Sequence, residues 1–177
     1  RALERGEISR SSLKVRRFEI LFSELRVQRS PEEAKTIYES HLSNGHIFMP
    51  GAPELLEALY GKYRLYLASN GSLSVQVGRI KSSGISKYFE KMFISEAIGY
   101  AKPTLHFFEY CFSEIDGFSR NETIIIGDTL SSDILGGINS GIHTCYYNPR
   151  GKTNDTGIIP EFEISAVSDV EKVLEML

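Results

Sequence analysis

Two patterns of apolar positions divide the chain. From residue 8 to 25, Leu13, Phe18, Leu21, Phe22 and Leu25 recur at helical spacing with arginines and glutamates between them, which predicts an amphipathic helix over 8–25. Ser30-Pro31-Glu32-Glu33 then supplies an N-cap, a proline at the first helical position and a glutamate placed for a capping box, opening a helix that runs through about residue 42. Ser43-Asn44-Gly45 ends it, so 1–45 reads as purely helical. The stretch 46–53 carries two prolines and a glycine and reads as a linker before a short helix at 54–59. Beyond it the period changes. Short apolar runs at 65–68, 92–95, 123–126 and 144–147 read as strands and alternate with helices over 73–83, 104–115 and 133–140. Phe162-Glu163-Ile164 reads as a further edge strand, and Ser168-Asp169 caps a final helix to Leu177. Such alternation predicts an α/β fold with a doubly wound parallel sheet over 54–177.

With 177 residues the chain suits one domain, or one domain with a small appendage. Lys plus Arg number 20 against 23 for Asp plus Glu, a formal charge of −3, which implies no basic surface for a nucleic-acid polymer or an anionic lipid. Cys111 lies in a helical pattern and Cys145 in a strand pattern, so both read as core thiols rather than a disulfide framework. The four histidines, His41, His46, His106 and His143, show no ligand spacing. No apolar run approaches membrane-spanning length, and a cytoplasmic monomer or homodimer is the expectation.

The chemistry gathers at strand ends. Ile124-Ile125-Ile126 is a β-branched run suited to a strand covered on both faces, and Gly127-Asp128 with Asp133 follows at its carboxyl end, where open α/β sheets bind ligands. Two carboxylates facing one crevice repel unless a cation lies beside them, and magnesium needs only one or two protein carboxylates plus substrate phosphate. Ser131 or Ser132 is placed to cap the following helix, although capping alone also explains acids at a helix start. A second strand, 65–68, runs into Ser69-Asn70-Gly71 and a helix, which suits either an anion site or an ordinary cap. Lys102 sits in the loop Gly99-Tyr100-Ala101-Lys102-Pro103, where a lysine is expected to contribute little to packing. A loop cation, anion-binding Ser69 and Asn70, and an acidic metal turn together are the parts of a phosphoryl-transfer site.

These residues resemble the haloacid dehalogenase superfamily of phosphohydrolases, whose second, third and fourth motifs are a strand-end Ser or Thr, a loop Lys and an acidic Gly-Asp turn. Ser69, Lys102 and Asp128 with Asp133 match them in order. The stretches Ile94-Ser95-Glu96, Gly99 through Pro103 and Gly127 through Asn139, with Met49-Pro50-Gly51-Ala52 in the linker, are similar to the bacterial pyrimidine 5′-nucleotidase branch. The resemblance implies a Rossmann-like core with a helical cap, here a partial one at 1–45. It implies a magnesium-dependent enzyme that forms an aspartyl-phosphate on small phosphate esters, nucleoside monophosphates foremost. Asp128 would ligate magnesium with Asp133 in support. Ser69, with Asn70 and Gly71, would hold the phosphoryl oxygens, and Lys102 would neutralise charge on nucleophile and phosphate.

One motif of that family has no match. The Asp-x-Asp at the end of a central strand should supply the nucleophile ahead of the cap, and the sequence contains no Asp before Asp116. The expectation is therefore a piece of a longer protein, with a vacant position between the strands at 65–68 and 123–126. Two other readings stand beside this one: a haloacid dehalogenase, and a non-catalytic phosphate-binding module. Gly127-Asp128-Thr129 weighs against the dehalogenase, because displacing halide from carbon needs no metal.

Overall fold

The computed structural model describes residues 10–177. Helix α1 (Arg10–Leu25) and helix α2 (Pro31–Asn44) form an antiparallel pair; the expected helix start at Ile8 lies outside the described residues. The Ser30 hydroxyl accepts the Glu33 N–H at 3.2 Å, so the cap written in the sequence is made. Phe18 packs edge-on against Tyr38, ring centroids 5.9 Å apart, with the Arg17 guanidinium 4.3 Å from the Tyr38 ring centre. None of the described side chains of this pair is fully buried.

After the linker come α3 (Ala52–Leu59), strand β1 (Tyr66–Ser69) and α4 (Leu73–Ser82). Helix α2 lies directly on α4: a Cβ on Gly78 would fall 1.7 Å from the Ser43 hydroxyl, so only glycine permits this approach. Strand β2 (Lys91–Ile94) pairs in parallel with β1. It runs into α5 (Ser95–Ile98), a single turn ended by Gly99 at φ 86°, where the sequence predicts Ser95 as the last strand residue. Helix α6 (Leu105–Ser113), β3 (Ile124–Gly127), α7 (Leu135–Ser140), β4 (His143–Tyr147), β5 (Phe162–Ile164) and α8 (Val170–Leu174) complete the order. The last helix follows a 3-10 turn over Val167–Asp169, which takes in the expected cap residues, and it ends at Leu174 rather than Leu177.

All ladders are parallel, as the alternation predicts, but they form two half-sheets, β1–β2 and β3–β4–β5. Among the described residues no ladder joins β1 to β3. Ile126, an apolar residue in the middle of β3, is consequently 40% exposed. A cavity of about 740 Å³ lies between the halves, with Leu65 and Tyr66 on one wall and Ile126, Gly127 and Asp128 on the other. Among the described residues, the edges of β1 and β3 that face this cavity carry no ladder.

The halves are held together from one face. Phe107, Phe108, Cys111 and Phe112 of α6 cluster with Phe93 of β2 and Ile142, and Ile125 of β3 packs against the same cluster. Phe107 is wholly buried. Leu59, Cys145, Ile164, Val170 and Val173 form a second core under β4 and β5. Both cysteines are buried, and burial pushes the thiols up to about 12 for Cys111 and about 11 for Cys145, as expected of core residues.

Candidate active site

Three loops meet at the carboxyl ends of β1, β2 and β3. In the first, the Ser69 hydroxyl accepts the Gly71 N–H at 3.0 Å, folding the chain back before α4 begins. Asn70 reaches across to the second loop, where its amide nitrogen donates to the Lys102 carbonyl at 2.9 Å and its amide oxygen accepts the Lys102 N–H at 3.0 Å. This two-bond clamp fixes the Lys102 backbone and gives the Asn70 side chain a structural task in addition to the anion contact expected of it.

The Lys102 ammonium donates to the Ala68 carbonyl and to Asp133 Oδ1, each at 2.7 Å. Both side chains of the ion pair are 9% exposed. The expectation that a loop lysine contributes little to packing is therefore corrected: the Gly99-to-Pro103 loop folds its lysine inward, and the charge survives burial because a carboxylate and a carbonyl replace the lost water. Asp133 spends its other oxygen on the Thr129 N–H at 3.1 Å. With both oxygens so engaged, Asp133 holds Lys102 and the turn.

The third loop departs from expectation at the helix start. Leu130–Ile134 is a π-helical turn preceding α7, its N-cap is Thr129, and no side chain caps it in the usual sense. Asp133 satisfies the Thr129 N–H from inside the turn, so neither Ser131 nor Ser132 has the capping role. A Cβ on Gly127 would lie 2.4 Å from the Asp133 side chain, so the glycine before Asp128 is what lets Asp133 tuck beneath the strand end.

Asp128 is exposed, with Oδ1 accepting from the Thr129 hydroxyl at 3.3 Å. It shares with Ser69, Asn70, Gly71, Lys102 and Asp133 the lining of a cavity of about 420 Å³, so every predicted site residue is brought to one place. Among the described residues, no three His, Cys, Asp or Glu side chains gather closely enough to form a metal cage. Magnesium does not require one, since a single carboxylate with waters and phosphate suffices, and Asp128 is a carboxylate of that kind. Gln76 and Thr129 also line the cavity and escaped the sequence reading. Gln76 sits in the first turn of α4, its amide only 2.5 Å from where a Gly71 Cβ would be, and a polar first-turn position after an anion loop was the available signal.

Asn70→Ala is expected to speed exchange of the Lys102 amide proton by about tenfold, the equivalent of ~1.4 kcal/mol for the lost clamp. Amide exchange followed by NMR measures this, and unchanged protection would mean that the clamp is not formed in solution.

The profile of the haloacid dehalogenase-like hydrolases matches residues 13–147. The HAD-hydrolase YfnB of Bacillus subtilis is 35% identical over 99% of this chain and 75% of its own length. The pyrimidine 5′-nucleotidase PynA of Streptococcus pneumoniae is 37% identical over 98% of this chain and 73% of its own. The pyrimidine 5′-nucleotidase YjjG of Escherichia coli is 32% identical over 97% and 75%. The crystal structure of magnesium-bound YfnB superimposes with a TM-score of 0.91 over 98% of this chain and 76% of that one. Agreement of this extent, in sequence and in fold together, means that the chain belongs to the haloacid dehalogenase-like hydrolases.

Proposed function

We propose that this chain carries the phosphate-handling residues of a magnesium-dependent phosphomonoester hydrolase that works through an aspartyl-phosphate on pyrimidine nucleoside monophosphates. The observation that carries the reading is the convergence of Ser69, Lys102 and Asp128 on one cavity at the carboxyl ends of β1 and β3. Ser69 receives the Gly71 N–H on its oxygen, which leaves its own proton to donate to a phosphoryl oxygen. Lys102 commits two of its three N–H groups to Ala68 and Asp133, and the third serves the phosphate. Asp133 holds that ammonium in place. Asp128 is the residue to hold magnesium, which when bound neutralises phosphoryl charge and orients the ester for in-line attack.

None of these side chains is the nucleophile. In the family it ends an apolar strand, and the edges of β1 and β3 that carry no ladder among the described residues are where such a strand would pair on both sides. Asp128 favours phosphate over organohalide for the reason given by its charge: a metal site has no part in displacing halide from carbon. The nucleotide preference rests on the likeness to PynA and YjjG, and magnesium on the magnesium-bound YfnB as well as on Asp128.

A panel of nucleoside monophosphates and sugar phosphates, assayed on the full-length protein with magnesium and with chelator, tests the proposal. Magnesium-dependent phosphate release that is fastest from pyrimidine nucleotides is the expected result. Faster release from sugar phosphates would overturn the substrate class and leave the chemistry standing.

A further inference from the structure

Gln76 lines the cavity of about 420 Å³ together with Ser69, Gly71 and Lys102, yet its side chain is neither a helix cap nor an ion-pair partner. Its backbone N–H donates to the Ser72 carbonyl at 3.0 Å, closing the first turn of α4, and its neighbour Val75 is buried, which fixes the face that the helix turns to the sheet. A helical side chain leans toward the N-terminus, so the carboxamide of Gln76 is carried back onto the loop Ser69-Asn70-Gly71. It is half-buried there. Among the described residues no hydrogen bond takes up its two N–H groups.

Gly71 makes that placement possible. A Cβ there would lie 2.5 Å from Gln76 Nε2, 3.0 Å from Cγ and 3.2 Å from Cδ, so any larger residue would drive the amide off the loop. Gly71 does not adopt the positive φ that favours glycine, unlike Gly61 and Gly84, so the backbone conformation gives no reason for a glycine at this position. The amide is what needs the space. The other donors of the cavity are partly spent, since the Ser69 oxygen accepts the Gly71 N–H and Lys102 gives two of its N–H groups to Ala68 and Asp133. Each brings one remaining proton to an anion whose oxygens carry more lone pairs than two protons can meet. A neutral amide adds donors without adding charge.

We propose that Gln76 is a further phosphate ligand, seated by Gly71, whose carboxamide donates to a phosphoryl oxygen beside those held by Ser69 and Lys102. This role deepens the phosphohydrolase reading and rests on it. The ligand is a tetrahedral oxyanion, either the phosphoryl group of the ester or the inorganic phosphate released from it. Gly71 then serves the site by what it leaves out, a methyl group where Gln76 Nε2 lies.

Inorganic phosphate titrated into the isotope-labelled full-length protein with magnesium, followed by NMR, tests this. The side-chain amide signals of Gln76 are identified by their loss in Gln76→Met, which keeps the length of the side chain and removes only its hydrogen bonding. Those signals are expected to shift with the same midpoint as the Gly71 backbone N–H. Gln76→Met should raise the midpoint roughly tenfold, the loss of one hydrogen bond to a charged group, with the urea midpoint unchanged. Gly71→Ala should weaken phosphate to a similar extent by displacing the amide, and the two substitutions together should do no more than either alone, because one contact is lost in each case. Additive losses would overturn the seating role of Gly71. Unchanged phosphate binding in Gln76→Met, or Gln76 signals that stay in place while the Gly71 N–H shifts, would overturn the assignment of Gln76 and leave the phosphohydrolase reading standing. Phosphate that moves none of these signals would overturn that reading, and the role of Gln76 with it.

Discussion

Lys102→Ala is expected to lower the unfolding free energy by about 3–5 kcal/mol, a loss measurable as a shift of the urea midpoint at constant slope. The magnitude follows from what the substitution leaves behind. Asp133 is as deeply buried as the lysine, and its Oδ1 would face a cavity without a counter-charge. Turnover should fall as well, because an ammonium aimed at a transferring phosphoryl group contributes ~3 kcal/mol of barrier lowering, about two decades in rate. The two losses separate in Lys102→Met combined with Asp133→Leu. Removing both charges should recover most of the stability, since a buried pair is often no better than an apolar one, while activity stays lost. If Lys102→Ala melts like the unaltered protein, the ion pair is not formed in solution.

Asp128→Asn should behave in the opposite way. Its carboxylate is exposed and bonded only loosely, at 3.3 Å, to the neighbouring Thr129 hydroxyl, so the urea midpoint should stay within ~0.5 kcal/mol of the unaltered protein. Phosphatase activity of the full-length protein should fall by about two to three orders of magnitude, because a neutral amide is a weak ligand for a hard divalent ion. Chelator should reproduce the defect, and the magnesium concentration for half-maximal rate should rise in any residual activity. Full turnover in chelator would sink the assignment of Asp128 to the metal.

The contrast between these two acids marks where sequence reasoning stopped. Asp128 and Asp133 are the same residue type five positions apart, and only their surroundings separate an exposed carboxylate from a buried partner of lysine. That partner lies 31 positions away in the chain, beyond anything local pattern can report. The same holds for Asn70, whose type suggests an anion loop and whose clamp on Lys102 depends on two loops meeting. Features whose cause is local were legible: the Ser30 cap, the proline opening α2 and the alternation that makes the ladders parallel. The four-residue α5 was not, because one turn is too short to display a period. The break between β1 and β3 was expected from the family's strand order rather than from any residue at those edges.

The Lys102–Asp133 pair also makes the site's loops depend on one another, because a single ammonium donates to the Ala68 carbonyl in β1 and to Asp133 beyond β3. A disturbance of either loop reaches the other through one buried charge, and salt that screens the surface pairs will act on it little.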